Sequence, residues 1–153
     1  MEKGEVAQMA TAMDAPMAHS GITTATNAGQ GIRWIRGLVL MNLGLVALQG
    51  LSAGFLLSGY GLAVTIHGDV AHVLQLGGLT QAVAAVVLWR RGRLPAWVAR
   101  DAIGLFVAVL VQVGLGYTKQ YLLHVPIGVG LFGGLIRQSG RLETLRSATG
   151  ARS

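Results

Sequence analysis

The sequence predicts an all-α fold, a four-helix transmembrane bundle with both termini on the cytoplasmic side. Three observations lead there. Of the 153 residues, 52% are hydrophobic and only 12% charged, about half the charged share of an ordinary soluble domain. Four apolar segments, each near the length that crosses a ~30 Å hydrocarbon core, use most of the chain. The charges collect at the ends of those segments rather than along them.

Residues 1–31, MEKGEVAQMATAMDAPMAHSGITTATNAGQG, are rich in Ala, Thr, Gly and Met and have no long apolar run. They predict a mobile cytoplasmic tail, with His19 solvated in it. A secretory signal peptide would need an apolar stretch after the basic start, and none precedes Ile32. The first apolar segment covers 34–59 and closes on a short connection through Tyr60 and Gly61; the second covers 66–89. RRGRLP, 90–95, then breaks the pattern with three arginines and a proline suited to a helix N-terminus. A third segment follows over 96–117 and a fourth over 121–136. The transmembrane domain is thus expected over 32–138, and 139–153 as a basic cytoplasmic tail.

Orientation follows from counting. With the N-terminus inside, eleven of the twelve Lys and Arg residues fall on the cytoplasmic side and only Lys119 outside, the bias that sets topology in a cell inner (plasma) membrane. Trp34, Trp89 and Trp97 mark the inner boundary, and Tyr60, Tyr117 and Tyr121 the outer one. Short outer connections make consecutive helices antiparallel neighbours. The 23 glycines, including Gly50-x-x-x-Gly54 and the run Gly128, Gly130, Gly133 and Gly134, permit close helix contact in lipid.

Composition also excludes functions. The net charge of +6 is placed by topology, with no basic patch interleaved with aromatics, so nucleic acid is not an expected partner. With no cysteine, disulfides, thiolate metal sites and covalent c-type haem are ruled out. No H-E-x-x-H, G-x-S-x-G or Walker pattern occurs. Asp101, near the inner start of the third segment, is expected to complement that helix's N-terminal dipole.

The residues that call for chemistry lie in TIHGDVAHVLQL, 65–76, and its echo. HVLQLGGL at 72–79 aligns with HVPIGVGL at 124–131, matching at His, Val, Gly and Leu. Gln49 and Gln112 occupy a looser match between the first and third segments. Taking the second helix to enter near Ile66 and the fourth near Lys119 places His72 and His124 at one depth, about 8 Å below the outer boundary. Two neutral imidazoles at one level on different helices suit bis-histidine ligation of a non-covalent haem b. In that reading His72 and His124 are the iron ligands and Gly128 makes room for the porphyrin. Lys119 and His67 reach the propionates. His67, rotated about 140° from His72, and Asp69 form a wet rim.

These features resemble one half of haem A synthase, a bundle whose second and fourth helices supply haem-ligating histidines. They are also similar to small four-helix bacterial membrane proteins with a His near the outer start of helix 2 and L-H-x-x-x-G near that of helix 4. Here those are AHVLQLGG, 71–78, and LHVPIG, 123–128, and the resemblance spans roughly residues 33–138. It implies a haem-holding role for His72 and His124. Haem A synthase has two such halves and this chain one, so catalytic oxidation is not implied. The expected function is a small membrane cytochrome passing electrons, or the haem subunit of a membrane redox complex. Three alternatives stand beside it: histidines that hydrogen-bond Gln49 or Gln112 in a haem-free accessory subunit, a proton path through a transport bundle, and another metal. A zinc site is disfavoured because it asks for three protein ligands.

Overall fold

A computed structural model describes the backbone of residues 3–150 and the side chains of residues 29–150. Among these the chain forms four α-helices, α1 (Lys3–Leu57), α2 (Leu62–Arg90), α3 (Ala96–Tyr117) and α4 (Tyr121–Gly150), and no strand. The side chain of His19, in the tail expected over 1–31, lies outside those described. Residues 29–57 of α1, all of α2 and all of α3 are long and apolar enough to cross a membrane; α4 is not. Each helix packs on its neighbours in sequence and α4 closes back on α1, leaving α2 diagonal to α4 and α1 diagonal to α3. This is the antiparallel up-and-down bundle that the short connections predict.

All three connections end a helix in the same way. A residue with positive φ, Gly59, Gly92 or Lys119, sits just past the helix end. The next amide donates back across the last turn, from Tyr60 to Phe55, Arg93 to Leu88 and Gln120 to Leu115. This Schellman closure satisfies carbonyls that would otherwise be orphaned. Pro95 caps the start of α3 in an extended conformation, as the RRGRLP break predicts.

Three helix limits differ from the sequence expectation. α1 is helical from Lys3, where the sequence predicts a tail over 1–31. α2 begins at Leu62, four residues before Ile66, because Gly61 already has helical φ and ψ. α4 runs on to Gly150 instead of giving way to a polar tail after 138. Leu131, Leu135, Gln138 and Leu142 repeat at helical spacing and are all buried, so the basic stretch has an inward stripe that holds it helical.

The core is concentrated toward the end that carries the α2–α3 connection. Ile32, Ile35 and Val39 of α1, Ala85 of α2, Val98, Ala99 and Ala102 of α3, and Leu135 and Leu142 of α4 are buried there around Leu94. Small residues on α3 bring the backbones close, which is how helices associate where lipid offers no hydrophobic drive. Through this core runs a ladder of amides. Asn42 Nδ2 donates to Gln81 Oε1 at 2.8 Å, Gln81 Nε2 to Gln138 Oε1 at 2.9 Å, and Gln138 Nε2 to the Val98 carbonyl at 3.5 Å. One chain of bonds thereby joins all four helices.

The same end is clasped by ion pairs. Asp101 lies 2.7 Å from Arg141 and 3.7 Å from Arg137, and Arg141 also stacks on Trp97 at 3.8 Å. The dipole role expected for Asp101 gives way to this pairing, because no acidic residue falls in the first turn of α3. Arg36 of α1 approaches Glu143 of α4 to 3.2 Å, with its Nε–H not aimed at the oxygen, and Arg146 Nε bonds the same carboxylate at 3.1 Å. That bond, first, and the nearby guanidinium charges hold the Glu143 carboxyl below the usual range.

Candidate histidine site

The opposite end is built differently. Beyond Val46, Leu74, Val109 and Leu131, only Ser52 and Ala63 are buried toward the α1–α2 and α3–α4 connections. Into this sparsely packed end the four helices project Gln49 and Ser52, His67, Gln112, and His124.

The His67 and His124 rings lie 6.2 Å apart, centroid to centroid, tilted by 50°. They come from the diagonal helices α2 and α4. Depth explains the meeting: with α2 starting at Leu62, His67 is about 7 Å along it, and His124 about 4 Å along α4, whereas His72 is about 15 Å along α2. Four residues of helix that the sequence reading missed amount to about 6 Å, enough to change which histidine stands level with His124.

A hydrogen bond fixes the tautomer of the neutral His124 ring. His124 Nδ1 is 2.9 Å from the Gln112 carbonyl, which can only accept, so Nδ1 carries the proton. The neutral His124 ring therefore carries its lone pair on Nε2. His67 Nδ1 is 2.9 Å from Ser52 Oγ. That hydroxyl also lies 3.0 Å from the Gln49 carbonyl and 3.4 Å from Gln49 Oε1. The two rings thus lie close together between α2 and α4, each held by a hydrogen bond at Nδ1.

His72 is placed elsewhere. It is exposed, and its Nδ1 bonds the Gly68 carbonyl of its own helix at 2.8 Å. The structure thus brings His67, not His72, to His124. The 140° rotation read from the sequence does separate the two α2 histidines, but it turns His67 inward and His72 outward. Gly128 does face the interior, yet the space over it is filled: a Cβ there would lie 2.9 Å from Gln112 Nε2. Gln112 Oε1 is buried without a hydrogen-bond partner. Gly116, which the sequence reading did not single out, is the glycine on which His124 rests, 3.2 Å from where its Cβ would be. Lys119 is exposed in the α3–α4 connection at φ 57°. Gly50 and Gly54 have open space where a Cβ would stand, so their expected close packing is not made within this chain.

No third histidine or carboxylate joins the pair, and no group of three such residues able to hold a metal ion occurs among the described residues. What the site offers is two imidazole donors approaching from opposite helices. No family model, curated protein or solved structure matches this chain. The fold and the site define a small all-α bundle with apolar helices suited to a bilayer.

Proposed function

We propose that the chain is a small integral-membrane cytochrome b-like protein. Its haem b is held between α2 and α4 by His67 and His124, and it serves in electron transfer or as the haem subunit of a membrane redox complex. The observation that carries this reading is the facing pair. His67 from α2 and His124 from α4 would hold the group, their ring centroids 6.2 Å apart. The donor set fits: Nδ1 of His67 bonds Ser52 and Nδ1 of His124 bonds Gln112, which orients both rings and would leave Nε2 of each to bind. When bound, the haem supplies a one-electron couple. The chain's part is to orient the two imidazoles through Ser52 and the Gln112 carbonyl.

In this reading all four helices cross the bilayer of the cell inner membrane, with both termini cytoplasmic, as the arginine distribution favours. The apolar part of α4, 121–136, gives about 24 Å of helix. Arg137 and Arg141 then reach the interface paired with Asp101. The protein purified from haem-replete cells is expected to show a reduced-minus-oxidised b-type spectrum. That spectrum should vanish in His67→Ala and His124→Ala and persist in His72→Ala. A colourless preparation would sink the proposal, and loss of the spectrum in His72→Ala but not His67→Ala would return the ligand role to His72.

A second reading, a haem-free accessory subunit, is favoured by Gly50 and Gly54. They sit on an open face of α1 where a partner helix could approach closely. It predicts that bulky substitutions there abolish complex assembly while both site histidines can be replaced.

A further inference from the structure

The outward face of α2 carries a polar stripe that nothing in the bundle uses. Thr65, Asp69, His72 and Leu76 lie within about 60° of one another around the helix. All four are exposed, Leu76 to 67%. α2 spans 29 residues, Leu62–Arg90, about 43 Å, so a ~30 Å hydrocarbon layer centred on it begins roughly 7 Å from Leu62. Asp69 and His72, about 10 and 15 Å along, are inside that layer. An ionisable pair turned toward hydrocarbon is costly and is found facing protein instead. Asp69 has no hydrogen bond or ion pair among the described residues. His72 spends its Nδ1 on Gly68, and its Nε2 has no hydrogen bond among the described residues.

We propose that this stripe is the contact between two copies of the chain, related by a two-fold axis along the membrane normal. The stripe is complementary to itself. It holds an acid and a base one turn apart, so in a parallel pair of α2 helices His72 Nε2 of each copy meets Asp69 of the partner subunit. The contact occurs twice, as two-fold symmetry requires. One proton shared between imidazole and carboxyl leaves neither charge uncompensated. Gly68, about 40° round the helix from His72 at the border of the stripe, has open space where a Cβ would stand, and lets the two backbones approach. The inference rests on α2 crossing a bilayer and not on the haem reading.

The chain has no cysteine, so single-cysteine reporters are clean. In the full-length protein reconstituted in phospholipid vesicles, Leu76→Cys is expected to form a disulfide-linked dimer on mild oxidation. Val107→Cys, on an exposed face of α3, should not. In the Leu76→Cys background, Asp69→Leu or His72→Phe should lower the crosslinked fraction at least fivefold. The exchange Asp69→His with His72→Asp should bring it back to within twofold. Equal crosslinking from both reporters, indifference to Asp69→Leu, or dimers that need a different co-expressed chain would each overturn the proposal. Recovery of every variant in the membrane fraction checks α2 insertion separately, and the b-type spectrum reports on the other site.

Discussion

Lys119 holds a conformation that the two equivalent positions give to glycine. Its φ of 57° stands beside 86° at Gly59 and 67° at Gly92, and an L-residue there costs about 1–2 kcal/mol. Lys119→Gly is therefore expected to stabilise the bundle by about 1 kcal/mol in reversible denaturation. The same substitution would tell whether Lys119 has any part in binding at the histidine end, since its charge goes too. Gly77 presents the opposite case. A Cβ on it would run into Asn42 Oδ1, and Asn42 is buried and tied to Gln81, so it has no room to yield. Gly77→Ala should cost about 1–3 kcal/mol by overpacking, whereas Gly130→Ala, with open space around it, should be near neutral in the same assay.

At the scale of the helix, α4 shows what sequence reading saw and what it did not. Its apolar stretch and its histidine were legible from hydropathy. Its continuation was not, because arginines, Ser and Gly after Ile136 mask a stripe of Leu and Gln spaced for one helical face. The start of α2 was missed for a related reason: Leu62, Ala63 and Val64 follow a glycine-rich turn and read as its exit. Since depth along a helix is about 1.5 Å per residue, that small boundary difference decides whether His67 or His72 stands level with His124. The HVLQLGGL repeat pointed to His72, since sequence similarity aligned His72 with His124 while the helix starts aligned His67. The far end of α4 is also where pH should act. The folded-state Glu143 carboxyl is depressed by Arg146 and Arg36, so its pairing stabilises above the unfolded value, about 4.3. That contribution is lost as pH falls through the lower folded value. Acid titration below about pH 4 should loosen α4 from α1 near Glu143, and Glu143→Gln should remove that part of the pH dependence. The pair is exposed, so the effect is small, and amide exchange in 143–150 is the measurement that resolves it.

For the whole bundle, the amide ladder is the feature that sequence reading passed over. Asn42, Gln81 and Gln138 are polar residues within or at the margin of apolar segments, a visible signal, but the histidines drew the attention. Gln81 is the central rung, since it both accepts from α1 and donates to α4. Gln81→Leu strands the Asn42 amide donor and the Gln138 carbonyl together. Buried groups left unsatisfied cost about 1–3 kcal/mol, and the low end is expected in lipid, where measured interhelical bonds average about 0.6 kcal/mol. Unfolding in mixed micelles, compared with Gln112→Leu at the other end, measures the difference. The all-α class and the antiparallel order were legible because they depend on hydropathy and connection length alone. The ladder and the ligand pair depend on which side chains share a level, and that is set by helix limits to within a single turn.

The uneven packing of the two ends also fixes an order of events. Because the ladder, the ion pairs and most of the core lie away from the histidines, the four helices can be assembled and aligned before anything enters between His67 and His124. Under the proposed haem reading, the protein without haem is a finished bundle with one slack mouth, and folding does not wait for the haem. Loading would tighten that mouth alone, so protection from amide exchange should rise around 49–67 and 112–128 while the far half stays as it was.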